Sequence, residues 1–159
     1  MADRVSADVR RRIMASVQTK NTGPEVAVRR MLHRLGYRYR LHANGLPGKP
    51  DLVFPRRRKI VFVHGCFWHG HDCRWGRLPQ SKLEYWAPKI AANRARDERN
   101  LADLKRTEWQ VLTVWQCELR DPSTALAKLC EFLESPIRGA DRQDGELQRQ
   151  ERASRGARR

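Results

Sequence analysis

The ten residues 64–73 read HGCFWHGHDC and combine three histidines, two cysteines, an aspartate and two large aromatic residues. Cys66, His71 and Cys73 follow a C-x4-H-x-C spacing, and thiolate and imidazole are the ligands that Zn²⁺ prefers in tetrahedral sites. Cys117, just after a later apolar run, is a candidate fourth ligand. Because four protein ligands leave no open position, we expect a structural zinc that holds this loop to the sheet. The competing ligands in the same stretch are His64, His69 and Asp72.

A second candidate site lies in the stretch PGKPDLVF, where Asp51 follows Pro50 at the head of an apolar strand. Many metal-dependent nucleases place such an aspartate beside a strand that carries a second carboxylate and a lysine, because Mg²⁺ prefers oxygen ligands. The next strand here reads IVFVHG and has neither residue, and His64 stands at its end. These residues alone leave open a simpler role for Asp51 as the cap of a turn.

The elements that position these residues begin with a helix over residues 22–36, in which Thr22 and Glu25 have capping-box spacing. Residues 37–42 alternate apolar and basic side chains, which predicts a half-exposed strand. The runs DLVF and KIVFV then predict a hairpin with a turn at 55–58. The decapeptide begins where the second strand of this hairpin ends.

The longest helical pattern covers residues 80–106, with Ser81 and Glu84 again at capping-box spacing. Pro88 is typical of a first turn, so we expect the main helix to begin there. Its apolar stripe is sparse, which predicts a largely exposed, basic helix. The run WQVLTVW, residues 109–115, predicts a further strand.

A last helix is predicted over residues 121–134, with Asp121 as its N-cap and a proline at its first position. Cys130 lies on the apolar stripe of this helix, so we expect it in the core rather than at a metal. The order helix, strand, hairpin, metal loop, helix, strand, helix predicts a single α/β domain. Its architecture is a small mixed β-sheet flanked by helices.

The charge of the chain is strongly positive, with 33 Lys+Arg against 18 Asp+Glu and a formal net charge of +15. Such an excess attracts polyanions and predicts a nucleic-acid partner. No apolar run approaches the roughly 18 residues of a membrane span, and the N-terminus has no apolar signal segment. We therefore expect a cytoplasmic protein without a membrane association. Residues 138–159 are almost free of apolar side chains and predict a basic, disordered tail.

Taken together, the stretches PGKPDLVF, HGCFWHGHDC, EYW and WQC resemble the very short patch repair (Vsr-type) DNA mismatch endonucleases from about residue 8 to about residue 133. The resemblance implies a restriction-endonuclease-like fold with a structural zinc. It also implies a Mg²⁺-dependent, strand-specific nick on the 5′ side of the thymine in T:G mismatches, which arise when 5-methylcytosine deaminates. A functional link to a cytosine methyltransferase and to mismatch-repair proteins follows, and we expect a monomer that acts at the nucleoid.

The resemblance also assigns the catalytic residues. Asp51 is the central Mg²⁺ ligand, the backbone carbonyl of Val63 is a further contact, and Glu25 orients a metal-bound water. His64 and His69 are the active-site histidines, and a neutral imidazole can accept a proton from water near pH 7. We favour His69 as the base and His64 as the group that positions water or phosphate, and the reverse assignment stays open.

The remaining site residues divide into zinc ligands and aromatic residues that insert into the duplex. A mismatch stacks poorly, so inserting an aromatic ring there costs less than in paired DNA. Residues 1–21 resemble an arm that clamps DNA, residues 22–137 form the endonuclease domain, and the tail from 138 lies outside the resemblance. The zinc ligands are Cys66, His71, Cys73 and Cys117. The inserting residues are Phe67, Trp68 and Trp86.

Two other functions fit the same residues. The strand IVFVHG lacks the usual carboxylate and lysine, so the domain could be a zinc-stabilised module that binds distorted DNA without cutting it. A nuclease of the same fold that acts on other DNA structures is the second alternative. Cleavage of a T:G duplex, compared with paired and branched DNA, separates the three functions.

Overall fold

The computed structural model describes residues 8, 9, 11, 12 and 20–136. Residues 8, 9, 11 and 12 are helical. The predicted tail over 138–159, and most of the predicted arm over 1–21, lie outside the described residues. None of the described helices is long and apolar enough to cross a membrane.

Residues 20–136 form three α-helices and three β-strands, joined in part by two short 3-10 turns. The order along the chain is helix, hairpin, helix, strand, helix, which matches the predicted order except for the strand expected over residues 37–42. The elements are α1 (Gly23–Arg34), β1 (Leu52–Phe54), β2 (Lys59–His64), α2 (Leu83–Arg106), β3 (Gln110–Trp115) and α3 (Pro122–Glu134), with 3-10 turns at Pro55–Arg57 and Glu118–Arg120.

The sheet has the order β1-β2-β3 and is mixed. β1 pairs antiparallel with β2, which confirms the predicted hairpin. β3 pairs parallel with β2, from Lys59 opposite Gln110 to His64 opposite Trp115. A parallel pair needs a long crossover, which α2 provides. The carboxyl ends of β2 and β3 therefore lie side by side.

Helices cover both faces of the sheet, and each face has its own apolar cluster. α1 and α3 pack on one face, where Val28, Leu32 and Leu129 are buried. α2 covers the other face, where its Leu104 packs against Ile60 and other strand residues. Five of the six residues of β2 are buried, as expected for a central strand covered on both sides.

The start of α1 is as predicted, but its hydrogen bonds differ from a capping box. Thr22 is the N-cap, but its hydroxyl donates to the carboxylate of Glu25 and does not accept a backbone N–H, as it would in a capping box. Glu25 also accepts the backbone N–H of Asn21 at 2.9 Å and the guanidinium of Arg29 at 2.9 Å. Glu25 is thus a buried carboxylate held by three donors.

The strand predicted over residues 37–42 is wrong, since only Arg40 forms a bridge, to Val53. The hydroxyl of Tyr39 donates to the carbonyl of Arg29 at 3.0 Å, which draws this segment toward α1. His42 then adopts a left-handed backbone with φ 50°, so the chain turns away before a strand can extend.

The predicted start of the long helix is also wrong. α2 begins at Leu83, its N-cap Lys82 makes no side-chain cap, and Pro88 lies inside the helix rather than in its first turn. The carbonyl of Lys82 accepts the N–H groups of Tyr85 and Trp86 instead. Because Trp86 packs on the loop after β2, tertiary contacts set this start and the Ser81–Glu84 spacing does not.

The last helix follows its prediction closely. Asp121 caps α3 and accepts the N–H of Thr124 at 3.2 Å. Leu129 and Leu133 of the predicted stripe are buried, whereas Cys130 is half-buried at the edge of the core.

Lys59 is fully buried at the start of β2, a position that sequence reasoning did not single out. Its ammonium group donates to the carbonyl of Leu133 at 3.0 Å, and to the carbonyl and hydroxyl of Ser135. A buried ammonium is tolerated only with such partners. Lys59 thus ties the carboxyl end of α3 to the sheet.

Replacing Lys59 by Met should lower the free energy of unfolding by about 2 kcal/mol, because buried carbonyls lose their donor. Urea unfolding measures this change. Lys105→Met, at an exposed position near the end of α2, is the control and should unfold like the wild type. A Lys59→Met variant as stable as this control would contradict the role of Lys59.

Candidate active site and metal cluster

The candidate site lies where β2 and β3 end together. His64 closes β2 opposite Trp115, and the carbonyl of His64 accepts the N–H of Gln116 at 2.9 Å. The loop over residues 65–76 follows β2, and Cys117 follows β3. The parallel register therefore brings the decapeptide loop and Cys117 together, although about fifty positions separate them in sequence.

The four predicted zinc ligands form one cluster. Their ligand atoms all lie within 4.8 Å of one another, and the Sγ of Cys117 is 3.4 Å from the Nδ1 of His71. His71 also stacks on Trp115, with ring centroids 4.2 Å apart. The competing residues His64, His69 and Asp72 are not part of this cluster. The members are Cys66, His71, Cys73 and Cys117.

This cluster fits zinc in donor type and in number, since three thiols and one imidazole make a closed tetrahedral set. The loop around it is tight. The N–H of His71 donates to the carbonyl of Cys66 at 2.9 Å. A Cβ at Gly76 would lie 1.9 Å from the carbonyl oxygen of His71, so only glycine fits there.

Two carboxylates, the half-buried Asp51 and the buried Glu25, lie beside β2. The Oδ2 of Asp51 accepts the backbone N–H of Val63 at 2.7 Å. Burial raises the pKa of Asp51 to about 6, and the nearby Glu25 raises it further, while the Val63 N–H and Arg29 act in the opposite direction. Arg29 forms its ion pair with Glu25. A hard divalent cation would compensate the charge of Asp51, so the donor set fits Mg²⁺.

Two histidines and a third carboxylate form a separate group. The rings of His64 and His69 are stacked, with centroids 3.7 Å apart and planes inclined by 9°. The Nδ1 of His69 lies 2.6 Å from the Oδ2 of Asp97 on α2. The pKa of His64 is lowered to about 4, mainly by burial and to a smaller extent by the neighbouring His69, while Asp97 acts in the opposite direction. His64 is therefore neutral near pH 7.

Asp97 is the site residue that sequence reasoning missed. It lies 28 positions from His69. Its stretch of α2 has the sequence of an ordinary solvent-exposed, charged helix. Asn93 lies one turn earlier and donates to the carbonyl of Trp68 at 2.9 Å. The only sequence signal is this i, i+4 polar pair, which places both side chains on one face of the helix.

His64, His69 and Asp97 line an open cleft of about 420 Å³. The cationic residues Lys49 and Arg96 also line it, from the loop before β1 and from α2. Asp51 and Glu25 are not among the lining residues. The predicted catalytic residues thus form two groups, on either side of the end of β2.

The three predicted inserting aromatics contact one another edge to face. Phe67 lies 5.2 Å from Trp68 and 5.1 Å from Trp86 between ring centroids, and Trp68 lies 5.9 Å from Trp86. All three are partly exposed. Tyr85, which is 54% exposed, extends this cluster, and the ammonium of Lys89 lies over several of its rings.

The fold is shared with a nuclease. The catalytic domain of the homing endonuclease I-Bth0305I superposes with a TM-score of 0.50 and 19% identity, over 72% of this chain and all of that one. The small mixed sheet, its flanking helices and the Cys/His cluster define a restriction-endonuclease-like fold.

Sequence comparison gives the family. The model of the family "DNA mismatch endonuclease Vsr" matches residues 2–75. The chain is 58% identical over 134 residues to the type II nicking enzyme V.XorIIP of Xanthomonas oryzae pv. oryzae, covering 84% of this chain and 98% of that protein. It is 38% identical over 120 residues to the DNA mismatch endonuclease Vsr of Escherichia coli, covering 76% of this chain and 77% of that protein. The chain belongs to the Vsr family and is a DNA endonuclease of mismatch repair.

Metal analysis of the purified protein should find about one tightly held zinc per chain, as one four-ligand site requires. Cys117→Ala should lose this zinc, because three ligands from one loop then remain. Cys130→Ala is the matched control, since Cys130 lies outside the cluster, and should keep it. Zinc retained by Cys117→Ala at wild-type affinity would contradict the fourth ligand.

Because the pKa of Asp51 is raised, the free energy of unfolding without divalent cations should depend on pH. The folded protein favours protonated Asp51, so this stabilisation is present below the ordinary pKa of 3.8 and is lost as the pH rises through about 6. Asp51→Asn keeps the group neutral and should be more stable than the wild type by ~3 kcal/mol at pH 7 and by about 1 kcal/mol at pH 4.5. Urea unfolding at both pH values measures the difference, and an equal difference at both would contradict the pKa.

Proposed function

We propose that this protein is a Mg²⁺-dependent, strand-specific endonuclease that nicks DNA on the 5′ side of the thymine in T:G mismatches left by 5-methylcytosine deamination. The observation that carries the proposal is the half-buried Asp51 carboxylate at the same sheet end as the His69–Asp97 pair. The name of the Escherichia coli relative, a mismatch endonuclease, and the nicking-enzyme names of the others support it.

Asp51 and the backbone carbonyl of Val63 would hold the magnesium. When bound, the ion supplies positive charge that stabilises the phosphodiester as negative charge develops on it. Glu25 would orient a water molecule at this site, and its three donors keep its carboxylate rigid. Val63 contributes through its backbone only, so its apolar side chain is compatible with this role.

His69 is the proposed general base. Asp97 accepts a hydrogen bond from Nδ1 of His69, which leaves the lone pair of Nε2 free to accept a proton from the attacking water. After transfer, the Asp97 carboxylate stabilises the imidazolium. His64 has no carboxylate partner of its own and is neutral, so we assign it to positioning the water or a phosphate.

Phe67, Trp68 and Trp86 are the proposed wedge that enters the base stack beside the mismatch. Contact between a base and an aromatic ring is worth about 1–3 kcal/mol per base in single-strand systems. Asn93 fixes the backbone of Trp68, and the zinc cluster holds the same loop on its other side. A rigid wedge loses little conformational freedom on binding.

The proposed partner is double-stranded DNA that contains a T:G mismatch, bound by a monomer in the cytoplasm at the nucleoid. Because that mismatch arises from 5-methylcytosine, the activity would repair damage that follows the action of a cytosine methyltransferase. It would also be linked functionally to the mismatch-repair proteins. The non-cleaving DNA-binding module is favoured less, because Asp97 and Lys49 line the cleft and supply a carboxylate and a lysine, the two groups missing from the carboxyl end of β2.

The test uses a duplex with one T:G pair in a library of randomised flanks, with Mg²⁺ and each strand labelled. The wild type should nick only the T strand, 5′ of the thymine, and Asp51→Ala should reduce the rate by at least about 10³-fold, because the metal loses its carboxylate. Asp103→Ala, on the exposed side of α2, is the control and should retain full activity.

An intact T:G duplex in every flanking sequence would contradict the proposal. Binding without cleavage at any Mg²⁺ or Mn²⁺ concentration would favour the binding module. Equal cleavage of paired or branched DNA would favour a nuclease for other DNA structures.

A further inference from the structure

We propose that Lys49 and Arg96 form an anion-binding subsite that holds a DNA backbone phosphate in the cleft beside the histidine pair. The inference rests on the proposed nuclease function and adds to it a site for the substrate. Both residues line the cleft together with His64 and His69.

The backbone of Lys49 is unusual. Its φ of 52° lies in the left-handed region, which a lysine adopts only where the surrounding structure imposes it. Such conformations concentrate at binding and catalytic sites. Lys49 is also exposed, so its side chain is not held there by burial in the core.

Gly48 explains why the loop is fixed. It has φ 76°, and a Cβ there would lie 3.1 Å from both the Phe62 ring and the Asn100 side chain. The loop therefore presses its backbone against β2 and α2. The N–H of Lys49 donates to the carbonyl of Leu46 at 3.3 Å, which closes the turn. The loop thus presents Lys49 at one wall of the cleft immediately before the buried Pro50.

The charges of Lys49 and Arg96 are not compensated by acidic groups in the described part of the chain. Neither forms an ion pair there, and Arg96 donates only to the amide oxygen of Asn93, at 3.0 Å. Asp97, the acidic residue of the cleft, already binds His69. Two cations facing an open cleft without carboxylate partners are arranged for an anion.

A metal ion is the competing occupant of this cleft. The ligand atoms of His64, His69 and Asp97 lie within 4.8 Å of one another, which is close enough for a metal with nitrogen ligands. Lys49 and Arg96 oppose a cation at that place and attract a phosphate. The charge balance of the lining residues therefore favours the phosphate.

The subsite would supply a positive charge, which is missing near the carboxyl end of β2. Nucleases of this general class often carry a lysine on the strand after the metal-binding aspartate, and here that strand ends VHG. Lys49, two residues before Asp51, would bring the positive charge from the neighbouring wall. A fixed cation at a phosphate stabilises the negative charge that develops during hydrolysis.

The experiment compares four variants for nicking of a T:G duplex and for duplex binding without Mg²⁺ over a range of salt concentrations. Lys49→Asn removes the charge and leaves a residue that tolerates the left-handed backbone. Lys49→Arg keeps the charge, Arg96→Met removes the second cation, and Lys105→Met is the control on an exposed lysine of α2. Thermal unfolding and zinc content confirm that each variant folds.

Lys49→Asn should lower the single-turnover nicking rate by about 10- to 100-fold, and it should reduce the slope of log affinity against log salt by about one. Arg96→Met should reduce the slope by a similar amount. Lys49→Arg should stay within about threefold of the wild type, and Lys105→Met should match it.

A Lys49→Asn protein that nicks and binds like the wild type would overturn the subsite. A slower rate with an unchanged salt slope would also overturn it, because the residue would then not contact a phosphate. The binding arm is repeated with fully paired DNA. If the variants show a reduced salt slope but the wild type never nicks a T:G duplex, the subsite is supported and the proposed function is rejected. The experiment therefore distinguishes failure of the subsite from failure of the proposed function.

Discussion

The parallel pairing of β2 with β3 is the interaction on which the rest of the structure depends. It sets His64 opposite Trp115, and the hydrogen bond from Gln116 extends the register by one residue. The loop after β2 and Cys117 can meet only in this register. A slip of one residue would turn His64 into the core and move Cys117 away from the loop. Burial of β2 on both faces fixes that register strongly.

The loop over residues 65–76 combines several functions because its side chains alternate between two sides. Cys66, His71 and Cys73 point to the metal cluster, while Phe67 and Trp68 remain partly exposed. α2 completes the arrangement from outside the sheet: Asp97 binds His69, Asn93 binds the Trp68 backbone, and the Trp86 indole packs on the Trp68 ring. A metal bound by Cys66, His71, Cys73 and Cys117, as proposed, would brace the short polar loop that carries the partly exposed rings of Phe67 and Trp68.

The sequence was sufficient to predict the order of the elements, the mixed sheet and the metal cluster, because hydrophobic periodicity and Cys/His spacing are local signals. The sequence-based prediction failed where contacts between distant parts of the chain determine a helix start or the position of a side chain. α2 begins at Leu83, near Trp86, and not where the capping spacing or Pro88 predicts. Asp97 and Lys49 line the cleft only because distant parts of the chain pack together, which a local sequence pattern cannot reveal. Lys59 looks like a solvent residue in sequence, but the end of α3 supplies its partners.

X-ray absorption at the zinc edge of the purified protein tests the central claim most directly, since a zinc bound by the Cys/His cluster is proposed to hold the loop that carries His69 and the aromatic residues Phe67 and Trp68. We expect a tetrahedral shell of three sulfur atoms at about 2.3 Å and one nitrogen atom at about 2.0 Å. A shell made only of oxygen and nitrogen atoms, or one with fewer than three sulfur atoms, would contradict the account.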